Sequence, residues 1–327
     1  MAIKSKGQNG TGQAQGLPLR LSGYLRRFLE YLEIEKGRSS LTIRNYEFYL
    51  NRFIEWAKDP KPGDIDMESV RQYRLYLNRL ENKKKDEGLK KTTQNYHLIA
   101  LRSFLKYLAR HDVESLAPEK IELAKQGSRE PSFLDAKDLE RLLDAPQKSD
   151  APPLIQARDR AILELFFSTG MRVSELASLK KDSINLDRDE FSVRGKGDKV
   201  RVVFLSHQAR HFLKEYLSSR LDECPFLFVR HDRAKSGATK VGSLTPRSIE
   251  RLVQRYSAEA GIPKHVSPHT LRHSFATDLL MNGADIRSVQ SMLGHASITT
   301  TQIYTHVTNQ QLREVHQAFH ARTRKDD

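Results

Sequence analysis

The stretch PHTLRHSFATDLLMNGADIRSVQSMLGHASITTTQIY, residues 268–304, decides how the rest of the chain is read. His269 and Arg272 stand three positions apart, so on a helix they share a face. Ser267 suits an N-cap and Pro268 the first helical position. A helix is therefore expected to begin there, with His269 at the positive end of its dipole, where a phosphate would sit. A second helix is expected from about Asp285 and is stopped by Gly294, with His295 directly after it. A further short helix from near Ser297 carries Tyr304. Three helix ends and one tyrosine are thus expected to converge on a single anion.

Upstream of this stretch, LIQARDRAILELFFSTG (154–170) has the helical period, with Ala161, Ile162, Leu165 and Phe166 as its core face and Gly170 as its stop. We read it as strongly amphipathic. MRVSELASL restarts a helix with Arg172 at its start and Glu175 one turn on. The period then switches to two: EFSVRGKGDKVRVVFL (190–205) predicts a hairpin with Gly195-Lys196-Gly197-Asp198 at its turn. Ahead of these, Asp135 is expected to cap a helix running to about Ala145. After them come a helix at about 207–220, a short strand at Phe226–Val229 and a helix from Pro246 to about Ala260. Beyond Tyr304, NQQLREVHQAFH predicts a last helix with Leu312, Val315 and Phe319 as a narrow apolar stripe.

Residues 18–111 read as four helices. Leu21, Leu25, Phe28 and Leu32 form the first stripe, closed by Gly37. Ser40 is expected to cap the second, which carries Tyr46, Leu50, Phe53 and Trp56 or Ala57. Asp66 caps the third, with Val70, Tyr73 and Leu77. Thr92 or Thr93 opens the fourth, with Leu98, Leu101, Leu105 and Leu108. ENKKKDEGLKK (81–91) between the last two is expected to be a charged loop. These helices are studded with cations, among them Arg44, Arg52, Arg71, Arg74, Lys90, Lys91, Arg102 and Lys106, whose excess favours a phosphate-facing surface. Residues 112–131 lose periodicity and are punctuated by Pro118, Gly127 and Pro131, as in an interdomain linker. Residues 1–17 are rich in Gly, Gln and Ser and read as a disordered tail without the apolar core of a signal peptide.

A chain of 327 residues suffices for two cores, and its net charge of +14 points to nucleic acid as partner. Cys224 is the only cysteine, which excludes an intrachain disulfide framework or a cysteine metal site and fits a reducing cytoplasm. No apolar run is long enough to span a bilayer.

The chemistry-bearing set is Arg172, Lys196, His269, Arg272, His295 and Tyr304. Two guanidiniums neutralise a phosphodiester and the extra charge that nucleophilic attack puts on its equatorial oxygens. A tyrosine hydroxyl can attack phosphorus, an imidazole can take its proton, and a lysine on a turn can protonate the leaving alkoxide. With two arginines supplying the charge, neither a metal nor a cofactor is expected. His269 and His273 have the spacing of a zinc pair, but Thr270 stands where a metalloprotease has glutamate, and no strong third ligand is present.

Taken together, STGMRVSEL (168–176), RGKGDKVR (194–201), SPHTLRHSFAT (267–277) and LGHASITTTQIYTHV (293–307) resemble the tyrosine recombinases of the phage-integrase superfamily, closest in style to the Xer group. The resemblance spans about residues 20–320. It implies a mostly α fold with a small β-sheet: a helical core-binding domain at 18–111 that clamps DNA, and a mixed α/β catalytic domain at 132–308. A docking helix and tail, 309–327, would follow. It implies Tyr304 as nucleophile, Arg172 and Arg272 as phosphate clamp, Lys196 as general acid, His269 as general base, His295 as a phosphate hydrogen-bond donor and Glu175 as support for the site. Double-stranded DNA and a homo- or heterotetramer are the implied partners. A type IB topoisomerase-like enzyme and a non-catalytic DNA-binding protein on the same fold are the alternatives.

Overall fold

The structure is a computed structural model and describes residues 19–82, 85–125, 132–195, 199–231 and 242–294. The chain separates into two compact units that divide at residues 128 and 129. No helix among the described residues is long and apolar enough to cross a membrane.

Among the described residues the first unit holds four α-helices: α1 (Leu21–Ile34), α2 (Ser40–Trp56), α3 (Met67–Arg79) and α4 (Lys91–Arg110). Their stripes meet as the period requires. Leu21, Leu25, Phe28 and Leu32 of α1 are buried against Leu50 and Phe53 of α2, Tyr73 of α3, and Leu101, Leu105 and Leu108 of α4. Asp66 caps α3, its Oδ1 accepting from the Ser69 N–H at 2.7 Å. Two boundaries shift from those expected. Ser39, not Ser40, caps α2, because its hydroxyl is the one that accepts from the Thr42 N–H. Helix α4 begins at Lys91, ahead of both threonines. Its first turn is tied by the Gln94 amide, which donates to the Leu89 carbonyl at 2.6 Å.

The charged segment expected as a loop forms a short antiparallel ribbon, β1 (Glu81–Asn82) with β2 (Lys85–Gly88). The segment carries no apolar alternation that would announce a strand. The segment expected as a linker is not free chain over its first half. Ile121 is fully buried in the helical core, with Val113, Leu116 and Leu123 packed beside it. The Asn95 amide also pairs reciprocally with the backbone of Ala124, at 2.9 and 3.1 Å.

The second unit begins with α5 (Ala136–Asp144), capped by Asp135. The chain continues through α6 (Pro153–Thr169), α7 (Val173–Ser178), the antiparallel hairpin of β3 (Glu190–Arg194) and β4 (Val200–Phe204), α8 (His207–Ser218), α9 (Pro246–Glu259), α10 (Pro268–Met281) and α11 (Ile286–Leu293). Phe226–Val229 is not a strand. It makes two isolated bridges, Lys180 with Phe226 and Val229 with Ser243.

Helix α6 is the axis of this unit, and it corrects the amphipathic reading. Ala161, Ile162, Leu165 and Phe166 are fully buried as expected, but Arg158, Asp159, Arg160 and Glu164 of the same helix are buried too. They are tolerated because each finds a charge partner. Arg158 Nε meets Asp159 at 2.7 Å, Asp159 also accepts from the Tyr256 hydroxyl at 2.9 Å, and Arg160 bridges Asp144 and Glu164 at 2.7 and 2.8 Å. A polar residue on a helix period does not reveal whether its far side meets water or another helix.

Helix α6 ends at Gly170 in the left-handed conformation, φ 56°. A Cβ there would be strained and would also stand 2.4 Å from the Phe275 ring, so only glycine closes this helix against α10.

Candidate active site

The site forms where the C-terminal ends of α6 and α11 meet the starts of α7 and α10. Ser267 caps α10, accepting from the Thr270 N–H, and Pro268 takes the first helical position. His269 is exposed in that first turn, while Arg272, one turn on, is 5% exposed. Asp285 caps α11 through the Arg287 and Ser288 N–H groups, and Gly294 ends it in the left-handed conformation.

The last carbonyls of α11 organise three arginines. Arg201 Nε donates to Met292 O at 3.0 Å, Arg272 Nη2 to Leu293 O at 2.6 Å and Arg172 Nη2 to Gly294 O at 3.2 Å. A helix leaves its final carbonyls without intrahelical partners, and they carry the negative end of its dipole. Three consecutive acceptors therefore align three guanidiniums. Arg272 is fixed a second time, Nη1 donating at 2.6 Å to the carbonyl of Gly170, the cap of α6. Its plane is set by two helix ends that sequence separates by more than a hundred residues.

Among the described residues, Glu175 is the single carboxylate bonded to these cations. Burial alone would push its pKa up. The Arg201 hydrogen bonds, with help from Arg172, outweigh burial and hold it at about 2. Four donors surround it: the Arg172 N–H at 2.8 Å, Arg172 Nη1 at 2.9 Å, and Arg201 Nη1 and Nη2 at 2.8 and 2.7 Å. That saturates a carboxylate, so Glu175 is a scaffold for Arg172 rather than a proton acceptor. One negative charge against three positive ones leaves the cluster cationic, suited to a phosphodiester.

Arg201 stands in RGKGDKVR, but the motif chemistry alone assigns it no role. A signal was available. Arg201 lies two positions before buried Val203 and pairs across the hairpin with buried Val193, so strand alternation points it inward.

Lys196, His295 and Tyr304 lie outside the described residues, as do the helices expected for 297–320. The chain nevertheless leaves for two of them from the cluster itself. Gly195 is bonded to Lys199 O at 2.8 Å, and a Cβ on it would lie 3.2 Å from Glu175 Oε1, so the turn of the hairpin starts beside the arginines. Gly294, whose carbonyl receives Arg172, immediately precedes His295.

His273, the other half of the possible zinc pair, is pushed down to about 4 by burial and by its neighbours His269 and Arg272, so it is neutral at physiological pH. Among the described residues, no group of three His, Cys, Asp or Glu side chains is placed to hold a metal ion.

A pH dependence follows from Glu175. Its folded pKa lies below the usual carboxylate value of 4.5, so its stabilisation is full above that value and is lost as pH falls toward about 2. Glu175→Gln should destabilise the protein at pH 7 by about 3 kcal/mol. The deficit relative to wild type should shrink through the window from 4.5 down to about 2. Urea unfolding of both proteins at pH 7 and pH 3 measures this. A deficit that stays constant with pH would mean that Glu175 does not carry the charge assigned to it.

Comparison with known proteins agrees with this geometry. Residues 132–311 match the phage integrase family, and residues 25–112 match the phage integrase N-terminal SAM-like domain. The chain is 37% identical over 299 residues to tyrosine recombinase XerD of Oceanobacillus iheyensis, covering 90% of this chain and 97% of that protein. It is 36% identical over 315 residues to tyrosine recombinase XerC of Thermodesulfovibrio yellowstonii, covering 93% and 98%. Among solved structures, the XerH site-specific recombinase bound to a palindromic difH substrate, a post-cleavage complex, superposes with a TM-score of 0.67 at 26% identity, covering 90% of this chain and 83% of that one. The chain belongs to the phage integrase family, the tyrosine-type DNA strand transferases.

Proposed function

We propose that this protein is a site-specific DNA recombinase that cuts and rejoins DNA through a 3′-phosphotyrosyl intermediate. The observation that carries the reading is the pair Arg172 and Arg272, held on the last carbonyls of α11 immediately before His295. Two fixed guanidiniums at one point neutralise a single phosphodiester and the charge that develops on it during attack.

In the proposed step, the Tyr304 hydroxyl attacks the scissile phosphorus. The P–O3′ bond is kept, a bond from phosphorus to the tyrosine oxygen forms, and the bond to O5′ breaks. The phenol proton passes to His269, which stands exposed at the start of α10. Lys196 supplies a proton to the departing O5′, and His295 donates to a non-bridging oxygen. A 5′-hydroxyl of the partner strand then reverses the step, so the bond energy is conserved and no nucleotide cofactor is consumed. The helical unit at 18–111 and the unit at 132–308 would both grip the DNA. Four copies would assemble on two sites, the 309–327 segment docking on a neighbour through Leu312, Val315 and Phe319. The relatives' names support the XerC or XerD style of recombination.

The test uses a DNA site selected by binding from a genomic or random library and nicked next to the scissile position, so that the released 5′ fragment diffuses away. A protein–DNA adduct that survives denaturing electrophoresis is the expected result. Tight binding with no adduct would sink the enzyme reading and leave a DNA-binding protein.

A further inference from the structure

A second cationic site lies on the same unit, at the opposite end of α6 from the catalytic arginines. Arg158 and Gly170 are twelve residues apart on or at the end of one helix, roughly 18 Å at 1.5 Å per residue. An open cavity of about 290 Å3 there is lined by Arg158, Asp159, Arg230, Ser248, Arg251 and Arg255, among others. Four guanidiniums thus face one carboxylate.

The carboxylate is already committed. Asp159 takes Arg158 Nε at 2.7 Å, Arg255 Nη2 at 3.1 Å and the Tyr256 hydroxyl at 2.9 Å, while Arg158 Nη1 is spent on Val229 O at 3.0 Å. Arg230 and Arg251 are exposed and make no ion pair with any acidic side chain among the described residues. Arg251 and Arg255 also sit one turn apart on α9, a like-charge spacing that destabilises a helix standing alone. Arg230 is anchored by its backbone, its N–H donating to Gly242 O at 3.0 Å, and Gly242 leaves room for the guanidinium, which would lie 3.4 Å from a Cβ there. Uncompensated guanidiniums brought to one cavity, with the Ser248 hydroxyl beside them, make a receptor for a tetrahedral oxyanion.

We propose that this cavity binds a phosphate group, and, resting on the recombinase reading above, that the group is a backbone phosphate of the bound duplex away from the scissile one. A phosphate held there would fix the register of the DNA on the catalytic unit without touching the chemistry.

The test compares the full-length wild type with the double variant R230A/R251A. Both replaced side chains are exposed and have no carboxylate partner among the described residues, so the variant should melt like the wild type. Equilibrium binding to the selected DNA site is measured from 50 to 300 mM salt. The expected result is a loss of about 0.9 from the slope of log K against log salt, the release of one phosphate's worth of counterions. Duplexes carrying single methylphosphonates along both strands give the second arm. At one position, neutralisation should weaken wild-type binding and leave the variant unaffected. A free phosphate as the true ligand would give a different pattern: an unchanged slope, with inorganic phosphate alone raising the melting temperature of the wild type but not of the variant. If neither the DNA arms nor inorganic phosphate distinguish the two proteins, the proposal is wrong. Covalent adduct formation at saturating DNA is followed in parallel. It should persist in the variant, and its absence in the wild type would instead count against the recombinase reading.

Discussion

Tyr304→Phe is expected to bind its DNA site as tightly as the wild type and to form no covalent adduct. The substitution removes one oxygen and keeps the ring, so packing and phosphate contacts are retained while the atom that would bond to phosphorus is gone. Removing the nucleophile from a site whose other groups are intact lowers turnover by on the order of 10⁶-fold or more in well-studied hydrolases. With the phenol oxygen gone, attack by water would compete, and water leaves no protein–DNA bond. Single-turnover cleavage on the nicked site, run beside a binding titration, measures both properties. An adduct that persists in Tyr304→Phe would move the nucleophile to another residue.

Arg272→Lys is expected to cost cleavage nearly as much as Arg272→Ala, about 10²- to 10³-fold, with DNA affinity changed far less. The charge is conserved in Arg272→Lys, so a purely electrostatic role would predict a mild effect. The geometry predicts otherwise. The guanidinium donates at 2.6 Å to Gly170 O and at 2.6 Å to Leu293 O, using one N–H from each terminal nitrogen. Its plane is therefore fixed before any phosphate arrives. An ammonium is a point donor on a flexible stem and cannot hold both carbonyls while facing a phosphate. Arg272 is 5% exposed, so a carbonyl left without its donor adds about 1–3 kcal/mol of destabilisation. Cleavage rates on pre-bound DNA, with urea unfolding as the control, test this. Cleavage by Arg272→Lys within tenfold of wild type would show that charge alone suffices.

Much of the site was legible because helix termini are written in a few adjacent residues. Ser267 with Pro268, and Gly170 and Gly294 as stops, act through hydrogen bonds or backbone freedom within three or four positions, and each stands where the local pattern puts it. The same holds for Asp66, Asp135 and the apolar stripes of α1 and α3. The one-residue error at Ser39 and the early start of α4 reflect competition between neighbouring polar side chains, which local preference does not resolve. The ribbon at 81–88 was missed because backbone pairing needs no side-chain pattern. The burial of Ile121 was missed because one apolar residue among charges carries no period.

By itself, then, the sequence determined most of the described helices and several of their caps, the hairpin and the two cores, since these rest on spacing, and it nominated a catalytic set from residue chemistry. Tertiary structure alone decided how the arginines are held. It brought Arg201 to Glu175, and it placed Arg201, Arg272 and Arg172 on the consecutive carbonyls of Met292, Leu293 and Gly294. It also turned the charged faces of α6 inward onto Asp144, Val229 and Tyr256. The physical reason is common to all of these. A guanidinium is satisfied by whatever acceptor the packed backbone presents, and which helix end arrives beside it depends on contacts between segments far apart in the chain.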